Sequence, residues 1–168
     1  MNNIKKFESF VVSLDCEPGN LTELPDLHDG LKEVSCTDNK LSKLPNLPNT
    51  IEWLNVNGNL LDSLPTLPDA LTDLYCSDNK LSKLPDLPDG LERINCSRNK
   101  LVNLPTLPNG LKLLECCNNN LRELPILPEC LVYLECSGNF LPYTNLNSYN
   151  IWLKINHPEV VNSRKFNI

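Results

Sequence analysis

The chain has 168 residues, enough for one domain with a substantial core, and its 40% hydrophobic and 21% charged residues are typical of a soluble folded protein. Its net charge of −6 disfavours nucleic-acid binding, which depends on concentrated lysine and arginine. No apolar stretch reaches the roughly 18 residues that span a membrane, and the N-terminal residues lack the long apolar run of a secretory signal peptide.

The first twenty residues end in a fragment of a pattern that recurs along the rest of the chain. Leu14 and Cys16 lie 20 positions before their counterparts in the first full repeat. Because a solenoid exposes its core at both ends, we expect residues 1–20 to form an N-terminal cap and half repeat, with Phe7–Phe10 folded over the first turn.

Residues 21–140 repeat the unit L-x-x-L-P-x-L-P-x-x-L-x-x-L-x-C-x-x-N-x six times. The alternation around Val34 and Cys36 predicts a strand with one buried face, and successive strands should stack in parallel about 4.8 Å apart. The paired Leu-Pro steps exclude a helix and favour a polyproline II return. A 20-residue period lies at the short end of the leucine-rich repeats. The sequence therefore predicts a single leucine-rich-repeat solenoid, with a parallel β-sheet on its concave face and polyproline II or extended segments on its convex face.

An asparagine closes every repeat, and six of the eight cysteines share one strand position. We expect the asparagine amides to satisfy backbone groups at the bend after each strand, a structural role that every turn needs. The asparagines are Asn39, Asn59, Asn79, Asn99, Asn119 and Asn139, and the cysteines are Cys16, Cys36, Cys76, Cys96, Cys116 and Cys136.

The cysteine position is interpreted as an apolar core slot, because Val56 fills it in the remaining turn. In-register parallel neighbours suit disulfide geometry poorly, so the column is expected to be reduced, which predicts a reducing, cytoplasmic compartment. Cys117 and Cys130 lie outside the column and are interpreted as tolerated surface thiols that could oxidise. No converging ligand set accompanies His28 or His157, so neither a metal nor a cofactor is expected.

Beyond the repeats, residues 141–168 are expected to form a C-terminal cap. The apolar cluster there includes Trp152, and the pattern predicts a short helix over 147–156 that stops before Pro158.

Candidate functional residues are those that project from the concave sheet without being needed by the core. Trp, Tyr and Arg dominate binding hot spots, which favours a partner-binding face, although aromatic residues also favour strand surfaces for their cross-strand packing. Glu115 and Glu135 should lie next to each other in adjacent strands, which raises the possibility of an acid–base or metal site. No third carboxylate, histidine or enclosed pocket supports such a site, so it is disfavoured. The predicted partner-binding residues are Trp53, Tyr75, Arg93, Leu113, Glu115, Tyr133 and Glu135.

The doubled Leu-Pro unit resembles the bacterial-type leucine-rich repeats found in secreted effectors of the YopM and IpaH type. Similar cysteine-bearing repeats also occur in proteins of large DNA viruses and phages. The resemblance implies the solenoid fold and a binding role. Effectors of the IpaH type also carry a C-terminal ubiquitin-ligase domain with a catalytic cysteine, whereas residues 141–168 contain no cysteine, so no catalytic residue is implied here.

The resulting hypothesis is a non-catalytic, effector-like scaffold that binds a protein partner on its concave face. It acts in the cytoplasm or after delivery into a host cell, as a monomer rather than an oligomer, without nucleic-acid or membrane binding. The alternatives are a structural component that self-associates within a larger assembly, and an enzyme that uses Glu115 and Glu135.

Overall fold

The computed structural model describes residues 12–158, which form seven short strands followed by one helix. The predicted cover by Phe7–Phe10 lies outside the described residues. The elements are β1 (Ser13–Asp15), β2 (Glu33–Ser35), β3 (Trp53–Asn55), β4 (Asp73–Tyr75), β5 (Arg93–Asn95), β6 (Leu113–Glu115), β7 (Tyr133–Glu135) and α1 (Leu146–Asn156).

The seven strands form one sheet in chain order, and each strand pairs in parallel with the next. Leu14 pairs with Val34, and Leu114 pairs with Leu134, so each residue faces its equivalent one repeat later. Between strands, the described chain runs through turns and non-helical segments, as the proline pairs require. One repeat therefore adds one strand, and the predicted solenoid is confirmed.

The core is a column of aliphatic side chains that runs along the inner face of the sheet. The leucine that opens each repeat is fully buried in the second to sixth repeats, and the middle residue of the strand packs beside it. Each such burial stabilises the fold by roughly 2 kcal/mol. The opening leucines of these turns are Leu41, Leu61, Leu81, Leu101 and Leu121.

The asparagine column joins each turn to the one before it. Asn59 accepts a hydrogen bond at Oδ1 from the backbone N–H of Leu41 at 3.0 Å. Its Nδ2 donates to the carbonyl oxygen of Cys36 at 2.8 Å and to that of Val56 at 3.1 Å. The amide thus satisfies backbone groups of two successive turns that would otherwise be buried without partners. The predicted structural role of these asparagines is confirmed.

The eighteenth residue of each repeat lies in the left-handed backbone region, which the sequence analysis did not predict. Glycine and short polar residues tolerate this region, and most of these positions hold them. Arg98, at φ 54°, is the exception. The residues are Asp38, Gly58, Asp78, Arg98, Asn118 and Gly138.

The cysteine column departs from the prediction at its N-terminal end, where Cys16 and Cys36 form a disulfide. The expectation that in-register neighbours would stay reduced is wrong for this pair. Their Cα atoms are 4.6 Å apart, a separation that a disulfide can span. The cysteine column therefore no longer argues for a reducing compartment. The free cysteines of the described residues are Cys76, Cys96, Cys116, Cys117, Cys130 and Cys136.

Helix α1 covers the last turn of the solenoid and confirms the helix predicted at 147–156. Asn145 caps it: its Oδ1 accepts a hydrogen bond from the Ser148 backbone N–H at 3.0 Å, and the Ser148 hydroxyl oxygen accepts one from the Asn145 N–H at 3.1 Å. The buried rings of Tyr143 and Tyr149 pack edge to face, with centroids 5.0 Å apart. Within residues 12–158, no helix is long and apolar enough to cross a membrane.

Candidate partner-binding face

The candidate site lies on the side of the sheet that faces away from the core. In every strand the middle residue points towards the core, so the first and third residues lie on the opposite side of the sheet. We call the surface formed by the first and third residues of β1 to β7 the concave face. All seven predicted partner-binding residues lie on it, in β3 to β7.

Two aromatic rings form the largest feature in the N-terminal half of this face. Trp53 and Tyr75 lie in adjacent strands, and their ring centroids are 5.9 Å apart with the planes tilted by 51°. Both residues are half-buried, so each ring keeps an accessible face. Partial burial, followed by the nearby Asp73 carboxylate, raises the pKa of Tyr75. The phenol therefore stays neutral and can donate a hydrogen bond at neutral pH.

Asp73 organises the centre of the concave face. It is 8% exposed and is the only charged residue that is buried within residues 12–158. Its Oδ1 accepts from Arg93 Nη1 at 2.7 Å, and its Oδ2 accepts from the Thr72 hydroxyl at 2.8 Å. Both carboxylate oxygens are thus satisfied, and the Arg93 guanidinium is held beside the aromatic pair. Asp73 was not among the predicted residues, although an acidic residue one repeat before Arg93 was a signal that the sequence contained.

A depression of about 320 Å³ opens beside the Trp53 ring. It is lined by Glu33, Glu52, Trp53, Thr72 and Asp73. Glu52 forms an ion pair with Lys32 at 2.7 Å, but both side chains are about half-exposed, so water screens this attraction. The depression therefore combines an aromatic wall with a carboxylate-rich rim.

The C-terminal half of the face joins an apolar pair to two carboxylates. Leu113 and Tyr133 are direct neighbours across β6 and β7, and Tyr133 is 46% exposed. Glu115 and Glu135 are the next pair along the same strands. Arg93 lies one strand before Leu113, so the Arg93 guanidinium lies between the N-terminal and the C-terminal halves of the concave face.

Neutral donors, rather than cations, orient the two glutamates. Asn95 Nδ2 donates to Glu115 Oε2 at 2.6 Å. Hydrogen bonds from the Ser137 side chain and backbone lower the pKa of Glu135, and the Ser137 N–H lies 3.3 Å from its Oε1. Glu135 is therefore charged at neutral pH. Within residues 12–158, neither Glu115 nor Glu135 forms an ion pair.

The concave face offers aromatic rings, carboxylates and one guanidinium as groups that could contact a ligand or partner. Among the described residues, no group of three or more histidine, cysteine, aspartate or glutamate side chains could hold a metal ion. His28 lies in the outer part of the first full repeat, and His157 follows α1, so neither lies in the sheet beside the glutamates.

The chain is similar to solved structures of bacterial effector domains. It shares 37% identity with YopM from Yersinia enterocolitica (TM-score 0.77) and 34% with YopM, a leucine-rich effector protein, from Yersinia pestis (TM-score 0.70). These matches cover 78% and 77% of this chain but only 30% and 37% of the YopM chains, so the chain spans a minor part of their length. A Shigella effector leucine-rich-repeat domain is 31% identical (TM-score 0.69), over 92% of this chain and 77% of that domain. No protein-family model and no curated protein sequence matches the chain.

Proposed function

Since the chain belongs to the bacterial-type leucine-rich-repeat proteins of the YopM and Shigella effector type, we propose that it is a non-catalytic scaffold that binds a protein partner on its concave face. The likeness to effector domains supports an effector-like role, in which the protein acts in the cytoplasm or after delivery into a host cell. The organised set of contact residues on this face supports a binding role.

The observation that carries this proposal is the arrangement of Trp53, Tyr75 and Arg93 around Asp73. The core does not need large rings on the solvent side of the sheet, because the inner positions already bury the aliphatic column. Ion pairing to Asp73 restrains the Arg93 side chain before any partner arrives. Aromatic residues and arginine held in place lose little entropy on binding, which is why they dominate hot spots.

Leu113, Glu115, Tyr133 and Glu135 extend the proposed contact surface over β6 and β7. Together with the N-terminal group they give the face two contact regions, which flank Arg93. An extended or helical segment of a partner could lie across several strands and meet both regions.

Affinity capture tests the proposal. The purified chain is immobilised, exposed to a lysate of its native host, and the retained proteins are quantified by mass spectrometry. The variant Trp53→Ala, Arg93→Ala and Tyr133→Ala should lose the specific partner while keeping the far-UV spectrum of the wild type, since hot-spot truncations cost about 2 kcal/mol or more each.

The matched control removes exposed apolar groups from the outer segments instead. Val102 and Ile126 are 57% and 75% exposed and lie outside the sheet. Val102→Ala with Ile126→Ala should capture the same proteins as the wild type. Equal capture by the concave-face variant and the wild type would refute the proposal.

A further inference from the structure

Acidic residues strongly outnumber basic residues in the strands of the sheet. Among the residues of β1 to β7, five are carboxylates and one, Arg93, is basic. Lysines are plentiful elsewhere, but Lys40, Lys80 and Lys100 follow the strands in the next turn and do not lie on the concave face. The carboxylates are Asp15, Glu33, Asp73, Glu115 and Glu135.

In the depression beside Trp53, the protein's own cations leave negative charge uncompensated. Its rim holds three carboxylates, of which Glu52 pairs with Lys32 and Asp73 pairs with Arg93. Glu33 is exposed and forms no ion pair within residues 12–158. The face of an aromatic ring also attracts cations, an effect of about two- to fivefold in affinity at exposed sites. A positively charged side chain would therefore find both a ring and a carboxylate here.

The glutamates of β6 and β7 form a second position that would attract a cation. Glu115 and Glu135 are cross-strand neighbours, and like charges in that relation repel each other. Their hydrogen bonds to Asn95 and Ser137 keep the carboxylates in place without neutralising them. A cation placed between them would relieve the repulsion.

On top of the proposed function, we propose that the partner presents a basic, extended segment to this face. One cationic side chain lies over the Trp53 ring beside Glu33, and a second lies between Glu115 and Glu135. The same acidic face disfavours an acidic segment, because opposed like charges repel each other.

The geometry also sets the spacing of the two cations. The depression centres on β3 and the glutamate pair lies between β6 and β7, a separation of about three and a half strand spacings, or about 17 Å at about 4.8 Å each. A fully extended chain covers about 3.3–3.6 Å per residue, so the two basic residues should be about five positions apart.

A blocked synthetic peptide, Gly-Arg-Ser-Gly-Ser-Gly-Arg-Gly, is the probe. Trp152→Phe leaves Trp53 as the sole tryptophan of the chain, so its fluorescence reports binding at the depression. We expect a saturable change with this peptide, at least about tenfold tighter than with the version that carries glutamate for arginine. A third peptide of the same composition with adjacent arginines should bind less tightly than the spaced one. Affinity should fall between about 0.01 and 0.15 M salt, as the Debye length shortens from about 30 to about 8 Å.

Glu33→Gln and Glu135→Gln should each weaken binding of the spaced peptide by about two- to fivefold. Glu129→Gln is the matched control: Glu129 is exposed, lies outside the sheet, and its loss changes the net charge equally. Equal weakening by Glu129→Gln would show that overall charge, not this face, attracts the peptide, and would overturn the inference.

Tight binding of the glutamate peptide would overturn it as well. In that case the proposed function would still be supported if affinity capture is lost in the concave-face variant, so the two proposals fail separately.

Discussion

The free thiols of the core column should make the fold sensitive to alkaline pH. Burial raises the pKa of Cys76 and of Cys136 to about 12. Burial likewise raises the pKa of Cys96 and of Cys116. In the unfolded chain a thiol ionises near pH 8.5 or so. The folded protein therefore retains these four protons at pH values where the unfolded chain releases them.

The sign of the effect follows from this difference. Because the folded pKa lies above the unfolded one, the stabilisation is complete below about pH 8.5 and is lost as pH rises towards 12. From pH 7.5 to 9.5, each buried thiol should lower the free energy of unfolding by about 1.4 kcal/mol. Four such thiols then remove about 5 kcal/mol, a large part of the roughly 5–15 kcal/mol that holds an ordinary domain together.

Urea unfolding of the wild type and of Cys76→Val at both pH values measures the contribution of one thiol. Valine is the natural replacement, because Val56 occupies the same slot and is fully buried. With a reductant present throughout, the free energy of unfolding of the variant should fall by about 1.4 kcal/mol less than that of the wild type over this pH range. Cys130→Ala, which removes an exposed thiol, should behave as the wild type does. An identical pH dependence for Cys76→Val and the wild type would refute the argument from thiol burial.

Three further predictions concern the scaffold. Asn99→Ala removes the hydrogen bonds to the Leu81 N–H and to the Cys76 and Cys96 carbonyls, and should cost about 3–5 kcal/mol in urea unfolding; a loss below 1 kcal/mol or so would contradict the role of the column. Arg98→Asn puts a residue that tolerates left-handed backbone at φ 54° and should raise stability by about 0.5–1 kcal/mol, whereas no gain would show that the turn relaxes. Sedimentation velocity over a wide concentration range should show one monomeric species, and a concentration-dependent rise would favour self-assembly instead.

The fold could be predicted because the same residue types, with the same local conformational preferences, recur at the same positions of each repeat. The register of Leu14 with Val34 is the same as that of Leu114 with Leu134, so one interpreted unit describes them all. The left-handed eighteenth residue was missed for a physical reason. The requirement there is on φ, and because aspartate, glycine and asparagine all meet it, no single residue type marks the position, which Arg98 also occupies.

The candidate site was only partly readable from sequence. The strand alternation placed Trp53, Tyr75 and Arg93 on the solvent side, which required only the period of two. Which side chains touch was beyond that reasoning, because ring tilt and ion pairing depend on rotamers. The depression beside Trp53 therefore emerged from the structure alone, whereas the 20-residue spacing of Asp73 and Arg93 indicated that they could pair but not that Asp73 is buried.

Asp73 is also the residue whose presence is hardest to explain by the needs of the fold alone. A buried carboxylate carries a desolvation cost that hydrogen bonds and an ion pair only offset, so it adds little net stability to a fold already held by an aliphatic column. Other turns hold glutamate, tryptophan, leucine or tyrosine at the same position and form the same strand. The solenoid thus has no need of an aspartate there. The aspartate pairs with Arg93 in the next strand, so its burial supports the proposed partner-binding surface.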